Sequence, residues 1–164
     1  MNTEQHPNVL PTLNKPGFAR NTPSNRPFLD RLPESTETHE LVLKVVPMPA
    51  DCNANGDIFG GWVMAQVDVA GAIAAFRKTR GRTATVAVKE FIFKQPVRVG
   101  DILSFYASVQ RIGNTSITIC VEVYAETFSD QGRYLKVTDA MVTYVAIDEE
   151  GRPRSIPRES ETSR

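Results

Sequence analysis

The stretch from residue 60 to about residue 78 constrains the fold most, because it is long enough for a helix of roughly five turns and is apolar on nearly every side. Lys78, Arg80 and Gly81 follow in the positions that a helix C-terminus prefers. Such a helix must be covered on most of its surface. We expect a strongly curved antiparallel sheet to wrap around it, with Gly71 allowing close approach, and a second subunit to cover the rest.

The remaining apolar sequence favours strands, one before the helix and four after it, with no second helix. The expected strands are residues 41–46, 83–93, 102–112, 116–128 and 134–147. The fourth is the clearest, because Ile117, Ile119, Val121 and Val123 alternate with more polar residues. This order predicts one α+β domain in which a long central helix is wrapped by a five-stranded antiparallel sheet.

The two ends of the chain differ in composition from this middle part. Residues 1–38 carry regularly spaced prolines, so we interpret them as a mobile leader or as an arm that packs on a partner subunit. Residues 39–150 form the folded domain. Residues 151–164 form a polar C-terminal tail in which Ile156 could dock.

Charge and cysteine content exclude several functions. The 19 basic and 19 acidic residues cancel, which argues against nucleic acid and membrane surfaces as partners. No apolar run approaches the roughly 20 residues of a membrane span, and the first 40 residues lack a secretory pattern, so we expect a cytoplasmic protein. Cys52 and Cys120 are expected to be free thiols, and no metal site is predicted.

Asp68 is a lone carboxylate in the middle of the apolar helix. No Lys or Arg lies three or four residues away from it, so a local ion pair is excluded. A buried ionised carboxylate needs partners, so Asp68 must face a cleft or another chain. The structural alternative places it on a narrow wet stripe, or in a bond to a backbone amide across an interface.

Gly60 and Gly61 leave amide N–H groups unpaired at the start of the helix. Such an end can receive a carbonyl oxygen that is becoming negative. With Asp68 about two turns further in, and the Asn53 amide upstream, the stretch contains the parts for hydrolysing an acyl compound. The alternatives are ordinary capping for the two glycines, and a cap or a favourable dipole contact for Asp57.

The run PADCNANGDIFGGWVMAQVDVAGAIAA, with TVAV at residues 85–88 and GNTS at residues 113–116, strongly resembles the hotdog-fold acyl-CoA thioesterases of the YciA-like group. The likeness covers about residues 41–158. It implies a hotdog fold, two subunits that share one sheet as a double-hotdog dimer, and usually three dimers in a hexamer. It also implies active sites at the dimer interface.

The resemblance assigns roles by motif. Asp68 matches the helix acid and Asn53 the upstream amide, with the two contributed by different subunits, and Thr85 matches a polar residue near them. The thioester carbonyl would sit on the amides of Gly60 and Gly61 while Asp68 acts as general base or nucleophile. Acyl-CoA would be cleaved to fatty acid and CoA with no separate cofactor.

The CoA phosphates need a local site in a chain that is neutral overall. A polar turn resembles the family's nucleotide-side contact, and it consists of Arg111, Gly113, Asn114, Thr115 and Ser116. Arg152, Arg154 and Arg158 are candidate helpers in the tail. The alternative is a plain hairpin turn.

Three other functions compete with this interpretation. A hotdog dehydratase would need a histidine near the helix, and the only histidines are His6 and His39. A cysteine hydrolase built on Cys52 lacks an activating histidine for the same reason. A non-catalytic acyl-CoA or nucleotide-binding hotdog protein stays open on the sequence.

Overall fold

The structure is a computed structural model that describes residues 28–157. Most of the predicted leader, residues 1–27, and the end of the predicted tail, residues 158–164, lie outside the described residues. His6 and Arg158 are among those residues. Within the described part, no helix combines the length and hydropathy that a membrane span requires.

One long helix packs against one five-stranded sheet. Strand β1 (Glu40–Val45) precedes helix α1 (Gly60–Thr79), and the other strands are β2 (Thr83–Phe93), β3 (Ile102–Ile112), β4 (Ser116–Glu126) and β5 (Tyr134–Ala146). A single 3-10 turn, Pro49–Asp51, lies between β1 and α1. The strands are antiparallel in the order β1-β3-β4-β5-β2, and α1 contacts all five. The predicted α+β hotdog fold is confirmed.

Most element boundaries fall within one residue of the prediction, and β4 is the exception. It ends at Glu126, two residues before the predicted end at Phe128. The Oδ1 atom of Asp101 accepts the backbone N–H of Phe128 at 3.2 Å. This side-chain bond replaces the ladder bond that would have continued the strand.

The core lies between α1 and the concave face of the sheet. The residues of β4 that were expected to face inward are fully buried, namely Ile117, Ile119, Val121 and Val123. Val63, Val67, Ala70 and Ala74 of α1 pack against them. Gly71 allows the predicted close approach, because a Cβ at this position would lie 2.2 Å from the hydroxyl oxygen of Tyr144. Glycine costs about 1 kcal/mol against alanine in a helix interior, which packing must offset here.

A single chain leaves one side of the helix and one edge of the sheet uncovered. Met64, Val69 and Phe76 of α1 are exposed, and Phe76 has 56% of its surface free. Val86 and Val88 of β2 are exposed as well, and β2 is the last strand of the sheet. The exposed apolar residues therefore lie together along α1 and its neighbouring edge strand.

Segments next to both ends of the described chain pack against the sheet. The N–H of Leu29 donates to the carbonyl of Tyr134 at 2.8 Å, and the N–H of Tyr134 donates back at 2.9 Å. Ile156 is buried, and its N–H donates to the carbonyl of Asn114 at 2.7 Å. Residues 28–38 and 151–157 belong to the predicted leader and tail, and both segments extend the packing of the domain.

Candidate active site

Helix α1 begins with bare backbone amides. Phe59 occupies the N-cap position and gives no side-chain hydrogen bond to the helix. No described residue accepts the N–H groups of Gly60 or Gly61. A Cβ at position 61 would meet nothing within 4 Å, whereas one at position 60 would lie 3.0 Å from the ring of Phe93. The helix end therefore presents two unpaired donors with little side-chain cover.

Asp57 does not cap this helix, because Phe59 occupies the N-cap position and no side chain gives a cap hydrogen bond. The carboxylate of Asp57 lies 4.0 Å from the Nε atom of Arg98. Of the two alternative roles considered for Asp57, the cap is therefore wrong, and the favourable dipole contact stays a prediction.

Asn53 lies in the wall of an open pocket at this helix end. The cavity has a volume of about 330 Å³, and its other lining residues include Asp57, Gly60 and Phe93. The Oδ1 atom of Asn53 accepts the N–H groups of Asn55 and Asp57, at 2.9 and 3.3 Å. These bonds fix the carboxamide and leave its NH₂ group without an acceptor among the described residues.

Asp68 is half-buried and accepts two hydroxyl groups from the sheet. Thr85 Oγ1 donates to Asp68 Oδ1 at 2.8 Å, which agrees with the predicted place of Thr85 near this carboxylate. The hydroxyl of Tyr144 lies 3.3 Å from the same Oδ1 atom and 2.9 Å from the backbone carbonyl of Asp68. No described residue bonds Asp68 Oδ2, and no described cation lies within ion-pair distance of the carboxylate.

Tyr144 is the residue of this site that the sequence analysis missed. It is fully buried on the inner face of β5, and burial together with the charge of Asp68 raises the pKa of its phenol far above the ordinary value. Its hydroxyl therefore stays protonated and acts as a donor. The available signal was a tyrosine at an inward-facing strand position, since a buried tyrosine hydroxyl nearly always has a partner.

The two halves of the predicted site do not meet within one chain. The pocket of Asn53 and Gly60 does not include Asp68, which lies about 12 Å further along the helix axis at 1.5 Å per residue. Strand β2 runs antiparallel to α1, with Phe93 against Gly60 and Thr85 against Asp68. One chain thus has Asn53 and the Gly60 amide near the Phe93 end of β2. It has Asp68 near the Thr85 end of the same strand.

The β3–β4 turn predicted to meet CoA is tied to the rest of the domain. The N–H of Gly113 donates to the carbonyl of Ser116 at 2.7 Å, and the carbonyls of Asn114 and Thr115 accept the N–H groups of Ile156 and Ala146. The next residue, Ile117, pairs with Tyr144 of β5. The turn therefore lies on the same part of the sheet as the Asp68 site.

The basic side chains near this turn differ in whether they already have partners, and so in whether they could bind a CoA phosphate. Arg111 is exposed and has no ion pair with a described residue. Arg152 pairs with Asp148 and Glu150, and Arg154 donates to the carbonyls of Thr79 and Ile147. Arg111 is the better candidate of these three, because the tail arginines already have partners.

The two cysteines and His39 do not form the thiol–imidazole pair that a cysteine hydrolase needs. Cys52 Sγ lies 3.8 Å from the carbonyl of Gly56, and both cysteines are free. His39 bonds Glu122 and stacks on Tyr106. The His39 contacts lie on the convex face of the sheet, away from α1 and from Cys52, which lies in the loop before α1. The described residues include no group of three or more His, Cys, Asp or Glu side chains placed to hold a metal.

Comparison with known proteins shows the family of this chain. A family model described as the thioesterase superfamily matches residues 55–128. The acyl-CoA thioester hydrolase YciA of Escherichia coli strain K12 is 47% identical over 122 residues, which cover 73% of this chain and 92% of that protein. The chain is a YciA-type member of the thioesterase superfamily.

Two hexameric thioesterases of known structure are similar to this thioesterase chain. The hexameric thioesterase of Yersinia pestis superposes with a TM-score of 0.71 at 47% identity, covering 77% of this chain and 99% of that one. A hexameric hotdog-fold thioesterase of Campylobacter jejuni gives a TM-score of 0.69 at 42% identity, covering 74% and 92%. The thioesterase chain thus spans nearly the whole length of both neighbours.

Proposed function

We propose that this chain hydrolyses acyl-CoA thioesters to a fatty acid and free CoA. The observation that carries the proposal is the state of Asp68, a helix carboxylate whose Oδ1 is bound by two hydroxyls while Oδ2 has no described partner. A carboxylate held in this way is oriented and still has one oxygen free to react. Membership of the thioesterase superfamily supplies the substrate class.

We assign the chemical roles to the groups of the site that have no hydrogen-bond partner among the described residues. Asp68 Oδ2 takes a proton from water as the water oxygen attacks the thioester carbon, or Oδ2 attacks that carbon directly and water then hydrolyses the acyl anhydride. In both cases the C–S bond breaks and the CoA sulfur leaves as a thiolate, which is protonated to the free thiol. The N–H groups of Gly60 and Gly61 stabilise the carbonyl oxygen as it becomes negative. Asn53 donates from its free NH₂ group to the carbonyl or to the water. Thr85 holds the carboxylate in place.

A dimer brings the two halves together. Strand β2 is an edge strand with exposed valines, and an edge strand favours pairing with another chain. Lys89 is midway between Thr85 and Phe93 in sequence. If two β2 strands pair antiparallel about Lys89, Thr85 of one chain lies opposite Phe93 of the partner subunit. The Asp68 site then adjoins the partner subunit's pocket, so each active site uses both chains.

The dimer also covers the apolar side of α1. We extend the proposal to three such dimers, which give the hexameric state of the solved neighbours. The nucleotide end of CoA would bind the β3–β4 turn, where Arg111 supplies charge and Ser116 a hydroxyl. The pantetheine arm and acyl chain would pass between subunits. No separate cofactor takes part.

The test is release of free thiol from a series of acyl-CoAs of different chain length. Wild-type protein is expected to release CoA from at least one of them, and Asp68→Asn to be slower by at least about a hundredfold with its oligomer intact. Asp130→Asn is the matched control, because Asp130 lies in the turn between β4 and β5. Tight acyl-CoA binding without release by the wild type would instead support a non-catalytic binding protein.

A further inference from the structure

Tyr144 packs against α1 at Gly71, where the missing side chain leaves a gap that we call the notch. Its hydroxyl oxygen lies 2.9 Å from the backbone carbonyl of Asp68, inside the helix outline, and 3.3 Å from Oδ1 of the same residue. A Cβ at position 71 would lie 2.2 Å from this oxygen and 3.0 Å from the ring carbon that bears it. Only glycine at position 71 leaves room for the hydroxyl.

The notch and the carboxylate belong to the same helix turn, since Gly71 follows Asp68 by three residues. A phenol has one proton to donate, and both acceptors within its reach are oxygens of Asp68. The hydroxyl therefore fixes the backbone and the side chain of one residue together. Thr85 adds a second donor to Oδ1 from the other side, on β2.

We propose that Gly71 and Tyr144 act together as a positioning device for Asp68, holding Oδ1 so that Oδ2 stays available to the substrate. Neither residue needs to touch the substrate for this role. The inference rests on the proposed hydrolase function, because positioning has a rate to affect only if Asp68 reacts.

Two strands supply the groups that face Asp68. Tyr144 from β5 is the titratable group that faces it, and burial and the Asp68 charge raise the pKa of this phenol, so it remains a neutral donor. Thr85 from β2 does not ionise. No described Lys, Arg, His, Asp or Glu side chain on any strand packed against α1 bonds or pairs with Asp68.

The first test compares kcat and KM of wild type and Tyr144→Phe. The variant keeps the ring and loses the hydroxyl, so we expect kcat to fall by about 10- to 100-fold with KM changed less than about threefold. Tyr124→Phe is the matched control, because Tyr124 is buried and bonds Glu122 on the opposite face of the sheet.

The second test is a double-mutant cycle with Gly71→Ala. The added methyl group displaces the Tyr144 hydroxyl, so the single variant should lose activity as Tyr144→Phe does. In the Tyr144→Phe background the hydroxyl is already absent and the added methyl group meets only ring carbons, at 3.0 and 3.1 Å, so Gly71→Ala should then cost less in kcat than it does in the wild-type background. Thermal unfolding of all four proteins separates positioning from packing.

Three results would overturn the inference. A Tyr144→Phe protein with wild-type kcat would exclude positioning while leaving the hydrolase function in place. Activity that falls only in proportion to loss of folded protein, in both single variants, would assign the pair to packing. A wild type that cleaves no acyl-CoA would refute the proposed function itself, and the positioning role with it.

Discussion

The imidazole ring of His39 stacks on the phenol ring of Tyr106, with ring centroids 5.0 Å apart and planes inclined by 21°. His39 Nε2 lies 2.8 Å from Oε2 of Glu122, so the chain just before β1 is held to the convex face of the sheet. Glu122 also accepts a hydrogen bond from Lys136, whose Nζ lies 3.1 Å from Asp139. A polar network thus lies on the face of the sheet opposite α1.

This network predicts a pH-dependent contribution to stability. Partial burial works to raise the pKa of Glu122, but Lys136 and His39 outweigh it and hold the pKa below its ordinary value of 4.5. A lowered carboxyl pKa stabilises the fold above the unfolded value, and this contribution is lost as the pH falls through the folded one. Acid should therefore weaken the network below about pH 4.5.

Lys136→Met tests this contribution. The variant leaves Glu122 and Asp139 without their shared cation, so the free energy of unfolding at pH 7 should fall by about 1 kcal/mol. The difference from wild type should shrink as the pH falls from 7 to 3, because a protonated carboxyl no longer attracts the cation. Urea unfolding at the two pH values measures it, with Lys44→Met as control because Lys44 has no ion pair among the described residues. An equal difference at both pH values would contradict the assignment.

Active sites shared between subunits predict complementation between two inactive variants. Asn53→Ala and Asp68→Asn chains, coexpressed with different tags, should form mixed dimers in which one of two sites is intact. Random pairing should then recover about a quarter of wild-type activity. Coexpression of either variant with the Asn53→Ala/Asp68→Asn chain should recover none. Mixed dimers that form but stay inactive would refute the shared site.

If two β2 strands pair in the dimer, a charge introduced on β2 should break the assembly. Val88 lies beside Lys89, where the two β2 strands would cross, and 46% of its surface is exposed in the single chain. Val88→Glu places two carboxylates near the symmetry axis, so the particle mass by light scattering should fall and activity should drop at least about tenfold. Ser129→Glu adds the same charge in the exposed β4–β5 turn and should change neither. An unaltered mass for Val88→Glu would place the interface elsewhere.

The β3–β4 turn predicts a salt-dependent loss of CoA affinity. Arg111→Ala removes an unpaired cation, so the dissociation constant of CoA should rise by about three- to tenfold at low salt, and less at high salt. Calorimetric titration at two ionic strengths would measure the change. Arg152→Ala is the comparison, because Arg152 already pairs with Asp148 and Glu150. Equal affinities for wild type and Arg111→Ala would remove Arg111 from the site.

The sequence predicted the elements of this fold well because their patterns are local. The alternation from Ile117 to Val123 and the apolar run of α1 depend only on neighbouring residues, and the boundaries agree except at β4. The end of β4 was predicted wrongly because Asp101, which is far away in sequence, bonds the N–H of Phe128.

The site was predictable only in part for the same reason. Asp68 is conspicuous as a charge in an apolar run, and Gly60 and Gly61 as a helix start without a cap. Tyr144 could not be assigned to it, since the register that places its hydroxyl over Gly71 is set by pairing of β5 with β2 and β4. A helix cap was one of two roles considered for Asp57, but Phe59 occupies the N-cap position and no side chain caps the helix.

The docking of the last described residues has a practical consequence for handling this protein. Arg154 holds the final carbonyl of α1, and Ile156 holds the β3–β4 turn. A chain shortened to end at Arg152 would lose both contacts at once, and so loosen two regions that are distant in sequence. Purification tags added at this end of the chain should therefore leave residues 153–157 in place.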